Sequence, residues 1–171
     1  MGLFFQWAEP ADFAAAAVLR TKTAVMLGDR LFVEEYMQTK FVLDAKDVKA
    51  IAAAAEAEAL KNGWAVSICI VDDGGHLLSF VRLDGAAPVS SHIAPGKART
   101  AALGRRESKG YEDMINGGRV SFLSAPNLEG MLEGGVPIIK DGQCLGAVGV
   151  SGVKSNEDAQ IAKAGIAAIG L

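Results

Sequence analysis

The residues best suited to chemistry in this chain lie in one short segment, Ser91-His-Ile-Ala-Pro-Gly-Lys-Ala-Arg-Thr100. On a helix, Lys97 and Thr100 stand one turn apart and place an ammonium beside a hydroxyl, while Arg99 adds a second cation. The stretch from Lys97 to Lys109 carries a net charge of +4 in a chain of net charge -3. A local cationic patch of this kind suits an anionic small molecule, and it equally suits a solvated basic helix face. Lys97 could also serve as an acid or base if burial lowered its pKa, and His92 could do so at ordinary pH.

A second candidate is the glycine-rich run Gly146-Ala-Val-Gly-Val-Ser151-Gly152, which leads into Ser155-Asn-Glu-Asp158. A strand exit that opens a helix leaves backbone N–H groups and a positive dipole end, which together bind a carboxylate or phosphate. The same residues are equally consistent with an ordinary helix start, with Ser155 or Asn156 as cap and Glu157 and Asp158 opposing the dipole. Gly134-Gly135 is a turn whose backbone could line a cavity.

Other chemistries find little support. The two histidines, His76 and His92, belong to no HxH or HxxxH spacing, and the two cysteines, Cys69 and Cys144, lie far apart in apolar stretches. Neither a zinc site nor a disulfide framework is indicated. No GxSxG elbow announces a nucleophilic serine. The acidic balance argues against a nucleic-acid binder. No apolar run reaches the ~18 residues of a membrane span, and the first residues lack the basic start of a secretory signal, so the expected location is the cytoplasm.

Helices and hairpins must position these groups. The 171 residues suffice for one well-filled core, and the 20 glycines are unevenly spread, with only Gly2 and Gly28 among residues 1–62. That first third has helical composition. Pro10 to about Leu27 and Arg30 to Lys40 are expected as helices broken at Gly28-Asp29. Asp44 is a predicted N-cap for a helix with an apolar stripe of Val48, Ile51, Ala52, Ala55, Ala59 and Leu60, ending at Asn62-Gly63.

From Trp64 the period changes. Residues 64–71 and 76–82 read as a hairpin around Asp72-Asp73-Gly74-Gly75, and residues 136–140 and 143–150 as another around Asp141-Gly142. Pro137 belongs at a strand start or edge. Between them Ser90 or Ser91 caps a helix running to about Lys109, with a methyl face of Ala94, Ala98, Ala101 and Ala102. Residues 120–124 are predicted as a further strand, and residues 156–168 as a helix. This order predicts an α+β sandwich with a mostly antiparallel sheet, since the hairpin turns are too short for parallel crossovers.

Taken together, Val71-Asp-Asp-Gly-Gly-His-Leu-Leu-Ser-Phe-Val-Arg-Leu-Asp-Gly-Ala86, Ser91-His-Ile-Ala-Pro-Gly-Lys-Ala-Arg-Thr-Ala101, Gly134-Gly-Val-Pro-Ile138 and Gly146-Ala-Val-Gly-Val-Ser-Gly152 with Glu157-Asp158 resemble the GlcG/HbpS-like family. That family includes the C-terminal domain of PduO-type proteins and is often labelled haem-degrading. The resemblance covers residues 44–170, so 44–171 is expected as the family domain and 1–43 as an N-terminal helical extension. It implies a profilin-like or PAS-like antiparallel sheet flanked by helices, and homo-oligomers from dimers to octamers. It also implies haem as a possible ligand. The first 75 residues contain no histidine, so a haem iron would have to use His92, His76, Thr100 or a partner subunit's residue.

The leading expectation is a cytoplasmic, homo-oligomeric binder of an anionic, planar small molecule such as haem. Lys97, Thr100 and Arg99 would lie on one side of the ligand, and Ser151, Gly152 and Gly135 on the other. One alternative is an enzyme of small-molecule catabolism that uses Lys97 or His92 on an organic acid or aromatic breakdown product. Another is a non-catalytic assembly or sensor subunit that docks through residues 1–43, using Phe4, Phe5, Trp7, Phe32, Tyr36 and Phe41.

Overall fold

A computed structural model describes residues 23–27, 30–34 and 39–171. The chain falls into two compact units, Met1–Thr39 and Lys40–Leu171. In the first unit, β1 (Thr23–Leu27) pairs antiparallel with β2 (Arg30–Glu34), with Leu27 opposite Arg30. These segments are therefore not helical as the composition suggested. Thr23-Ala-Val-Met-Leu and Arg30-Leu-Phe-Val-Glu contain β-branched and aromatic residues, which suit strands, and the expected helix break at Gly28-Asp29 lies outside the described residues. The expected helix start at Pro10 and the aromatics Phe4, Phe5, Trp7 and Tyr36 lie outside the described residues.

The second unit contains a four-stranded antiparallel sheet in the order β4-β3-β6-β5. Its strands are β3 (Ser67–Asp72), β4 (Leu77–Arg82), β5 (Gly135–Lys140) and β6 (Gln143–Ser151). Helices α1 (Ala45–Lys61) and α4 (Ser155–Ala167) cover one face, while α2 (Ser90–Gly104) crosses the other. The α+β sandwich read from the sequence is the observed architecture.

Local chemistry accounts for most boundaries. The Asp44 carboxylate accepts from the N–H groups of Lys46 and Asp47 at 2.7 and 2.8 Å, and the Asp47 carboxylate accepts in return from the Asp44 N–H. Asn62 caps the other end of α1 by donating its side-chain amide to the Glu58 carbonyl at 2.8 Å. Val48, Ile51, Ala55 and Ala59 are buried as the stripe required, but Leu60 is 63% exposed. Asp141 and Gly142 take φ of 48° and 76°, as a tight two-residue turn between Lys140 and Gln143 demands. Pro137 lies on β5, an edge strand, where its missing N–H disturbs no central ladder.

The two faces of the sheet differ in bulk. Ile68, Ile70, Val148 and Val150 point toward α1 and α4, where Ile51, Ile161 and Ile166 complete the main core. On the opposite face Cys69, Val71 and Ala147 form a smaller buried cluster with Ala94, Ala98, Ala101 and Ala102 of α2. The methyl face thus brings α2 against the sheet backbone. A Cβ at Gly149 would strike the Ala94 carbonyl and the Ala98 nitrogen.

Two expectations about the middle of the chain change. The helix from Ser90 ends at Gly104, because Arg105 adopts the left-handed conformation (φ 53°), and a separate helix α3 runs over Lys109–Asn116. The Tyr111 ring occupies the space a side chain at residue 104 would need, which fixes a glycine at this corner. Val120–Ser124 is a 3-10 turn and not a strand. Among the described residues it has no strand partner, and Ser124 donates its hydroxyl to the Ser121 carbonyl at 2.8 Å to close the turn locally.

Candidate functional site

Helix α2 carries three distinct edges. Ala94, Ala98 and Ala101 face the sheet, and Lys97 and Thr100 lie on one flank. Ser91, Pro95 and Arg99 lie on the other, at i, i+4 and i+8.

The first flank is closed. Lys97 is 3% exposed, and its ammonium donates to the Asp158 carboxylate at 2.8 Å and to the Val150 carbonyl at 3.0 Å. Asp158, 2% exposed, also accepts from the Val153 N–H at 3.3 Å. Burial pushes the Asp158 carboxyl above the usual aspartate range, and the bond from Lys97 opposes that rise without cancelling it. Gly134, at φ 119°, leaves room for this pair, since a Cβ there would meet the Lys97 ammonium and Asp158. The hydroxyl of Thr100 is likewise committed, accepting from the Gly130 N–H at 3.2 Å and holding the 129–131 segment against α2.

The glycine-rich candidates serve the same packing. The Gly135 N–H donates to the Ser108 hydroxyl at 2.8 Å, and its Cα faces the Lys97 backbone too closely for a side chain. Ser151 is buried at the end of β6 opposite Ser67. Gly152, at φ 152°, turns the chain where a Cβ would strike the Ala65 carbonyl. None of Gly135, Ser151 and Gly152 belongs to the cleft on the other flank of α2.

The opposite flank is open. Ser91, Pro95 and Arg99 form one wall of a cleft of about 360 Å³ whose other wall is Cys69, Val71, Gly75, Leu77 and Phe80 from β3, β4 and their turn. Small-molecule sites commonly enclose about 300–1,000 Å³ behind mostly apolar walls and a few polar groups, and this cleft fits that description at the small end. Arg99 was singled out in the sequence for its charge. The stem of its side chain passes directly over Gly75, which explains the second glycine of that turn. Among the described residues no carboxylate pairs with the exposed Arg99 guanidinium. Cys69 contributes a neutral thiol, since burial pushes its pKa up to about 12 against the lowering effect of Arg99.

The histidines lie elsewhere. His92 is exposed on α2 next to Ser91 but is not part of the cleft wall. His76 sits at the β3–β4 turn, its Nδ1 3.1 Å from both Asp72 carboxylate oxygens. Burial raises the Asp72 carboxyl, but hydrogen bonds from the His76 N–H and ring and from the Gly74 N–H together hold it below the usual range. Among the described residues no group of three potential metal ligands occurs, and no helix is long and apolar enough to cross a membrane.

The cleft residues other than Arg99 were not apparent as a site in the sequence. Ser91, Pro95 and Arg99 are visible there as one helical line, but only the fold brings that line opposite Cys69 and Phe80. In the sequence Asp158 suits a dipole partner at the start of α4, and its bond to a residue 61 positions away has no local signature.

Residues 43–167 match the family model described as "Haem degrading protein HbpS-like". Protein GlcG of Escherichia coli (strain K12) is 57% identical over 115 residues, which is 67% of this chain and 85% of that protein. Among solved structures, Streptomyces reticuli HbpS, as a double mutant, superposes with a TM-score of 0.72 at 28% identity, covering 86% of this chain and 99% of its own. The PduOC:Heme complex gives a TM-score of 0.70 at 28% identity, covering 75% of this chain and 95% of its own. With its family match spanning the four-stranded sheet and all of α4, and with the same fold in these solved structures, the chain belongs to the GlcG/HbpS-like family.

Proposed function

We propose that this protein binds a flat, anionic small molecule of the haem class, seated by one edge between α2 and the β3–β4 hairpin with a carboxylate on Arg99. The observation that carries this reading is the exposed Arg99 guanidinium at an apolar cleft, with no carboxylate partner among the described residues. An arginine there provides a planar, permanently charged fork suited to a carboxylate. The solved haem complex of a relative supports haem as the first ligand to test.

The cleft suits part of a haem. Val71, Leu77 and Phe80 offer apolar contact to a macrocycle edge, and Arg99 suits a propionate. At about 360 Å³ the cleft encloses only part of such a ring. Its one thiol, Cys69, stays protonated, and no histidine lines it, so the grip falls on the ring and its carboxylates rather than on the iron. We take the homo-oligomeric state, the cytoplasmic location and the family-domain boundary near residue 44 as parts of the same reading.

Haem titration followed by absorbance tests the proposal. Wild type is expected to bind, and Arg99→Gln to bind roughly tenfold to a hundredfold more weakly, the scale of a lost charge-assisted hydrogen bond. Equal binding by both would overturn it.

A further inference from the structure

Helix α1 ends at Asn62-Gly63. Gly63, at φ 70°, reverses the chain, and the Trp64 N–H returns to the Ala59 carbonyl at 2.9 Å. This turn sets Trp64 beside the last turns of α1 and opposite the end of β4. A second cavity, of about 330 Å³, lies there and is lined by Glu56, Leu60, Trp64, Leu83 and Asp84. It shares no residue with the Arg99 cleft.

Its chemistry is the reverse of that cleft. Two carboxylates line it, the half-buried Glu56 and the exposed Asp84, and no lysine or arginine does. Among the described residues neither carboxylate enters an ion pair. Lys61, near in sequence, bonds to Glu58 at 3.4 Å instead. A cavity lined by one sign of charge with apolar walls focuses its field, and the negative end of the α1 dipole adds to it.

The remaining wall selects among cations. Trp64 and Leu83 are half-buried and packed against the main core, so their positions are fixed. Leu60, which the core leaves 63% exposed, finds its use here. A bare metal ion would need more oxygen ligands than two carboxylates supply, and no group of three potential ligands occurs among the described residues. A cation with an alkyl surface uses every part of the cavity, because an indole attracts cations and the leucines accept the alkyl groups.

We infer that this cavity is a second binding site, for a small organic cation of the alkylammonium class. Its charge lies near Glu56 and Asp84, and its alkyl groups rest on Trp64, Leu60 and Leu83.

Choline and 3,3-dimethylbutan-1-ol test this, since they share a shape and differ in the charge at one atom. In calorimetric titration of the full chain at low ionic strength, choline is expected to bind saturably and the neutral alcohol at least roughly tenfold more weakly. Glu56→Gln and Asp84→Asn remove charges that hold no ion pair, and each should weaken choline about twofold to fivefold. Glu129→Gln removes an exposed carboxylate outside the cavity and should leave choline affinity unchanged. The chain has two tryptophans, so a Trp7→Phe variant reports Trp64 alone, and its emission should shift with choline at the same midpoint. Equal binding of choline and the alcohol overturns the inference, as does the absence of saturable choline binding. Choline affinity that ignores both Glu56→Gln and Asp84→Asn, or falls equally with Glu129→Gln, also overturns it, because the attraction would then belong to the overall charge of the protein.

Discussion

The ammonium of Lys97 lies 2.8 Å from the carboxylate of Asp158, both buried beneath the β6–α4 connection. The pair joins the middle of α2 to the first turn of α4 across the sheet edge, and it fixes the helix whose other flank carries Arg99. A lysine that looks like a catalytic or ligand-binding residue in the sequence is in the fold an internal strut.

Removing one partner should be far worse than removing both. Lys97→Met or Asp158→Leu alone leaves a buried charge without its counter-ion and is expected to cost about 3–5 kcal/mol in chemical denaturation. The double substitution Lys97→Met with Asp158→Leu should recover most of that loss. A double variant as unstable as the sum of the singles would show that the pair contributes more than charge compensation.

Gly149 should tolerate no side chain. Its Cβ position is occupied by the Ala94 carbonyl and Ala98 nitrogen, so Gly149→Ala must lift α2 from the sheet. A loss of about 1–3 kcal/mol or more is expected from overpacking, together with weaker ligand binding as the cleft wall shifts. Gly142→Ala, which meets nothing within 4 Å, provides the contrast: it strains only its own turn at φ 76° and should leave ligand affinity unchanged.

Acid should remove a contribution from Asp72. Its carboxyl is held below the ordinary aspartate value, so its stabilising effect is present above that value and is lost as pH falls through the lower, folded-state value. The gap in melting temperature between wild type and Asp72→Asn should be widest near neutrality and close below about pH 4. A gap that stays constant from pH 7 to pH 3 would contradict this assignment.

Features governed by local chemistry were legible in the sequence. Asp44 before an apolar stripe, Asp141-Gly142 between β-branched runs and the alanine face of α2 each carry a nearly complete physical reason within a few residues. The features that failed do so for two different reasons. Thr23–Leu27 and Arg30–Glu34 sit in an alanine- and glutamate-rich region whose average composition outweighed their own β-forming residues. Val120–Ser124 has strand-like residues but no strand to pair with among those described. At the candidate site, charge and spacing single out Lys97 and Thr100 along with Arg99, but the bonds of the first two to Asp158, Val150 and Gly130 depend on residues far away in the chain, and only Arg99 lines the cleft.

The most direct measurement is the haem dissociation constant of wild type and of Arg99→Gln, from the change in Soret absorbance at matched protein concentration. A saturable spectrum for wild type with affinity reduced roughly tenfold or more in Arg99→Gln is the predicted result. Identical affinities for the two proteins, or no saturable binding by wild type, would contradict the account.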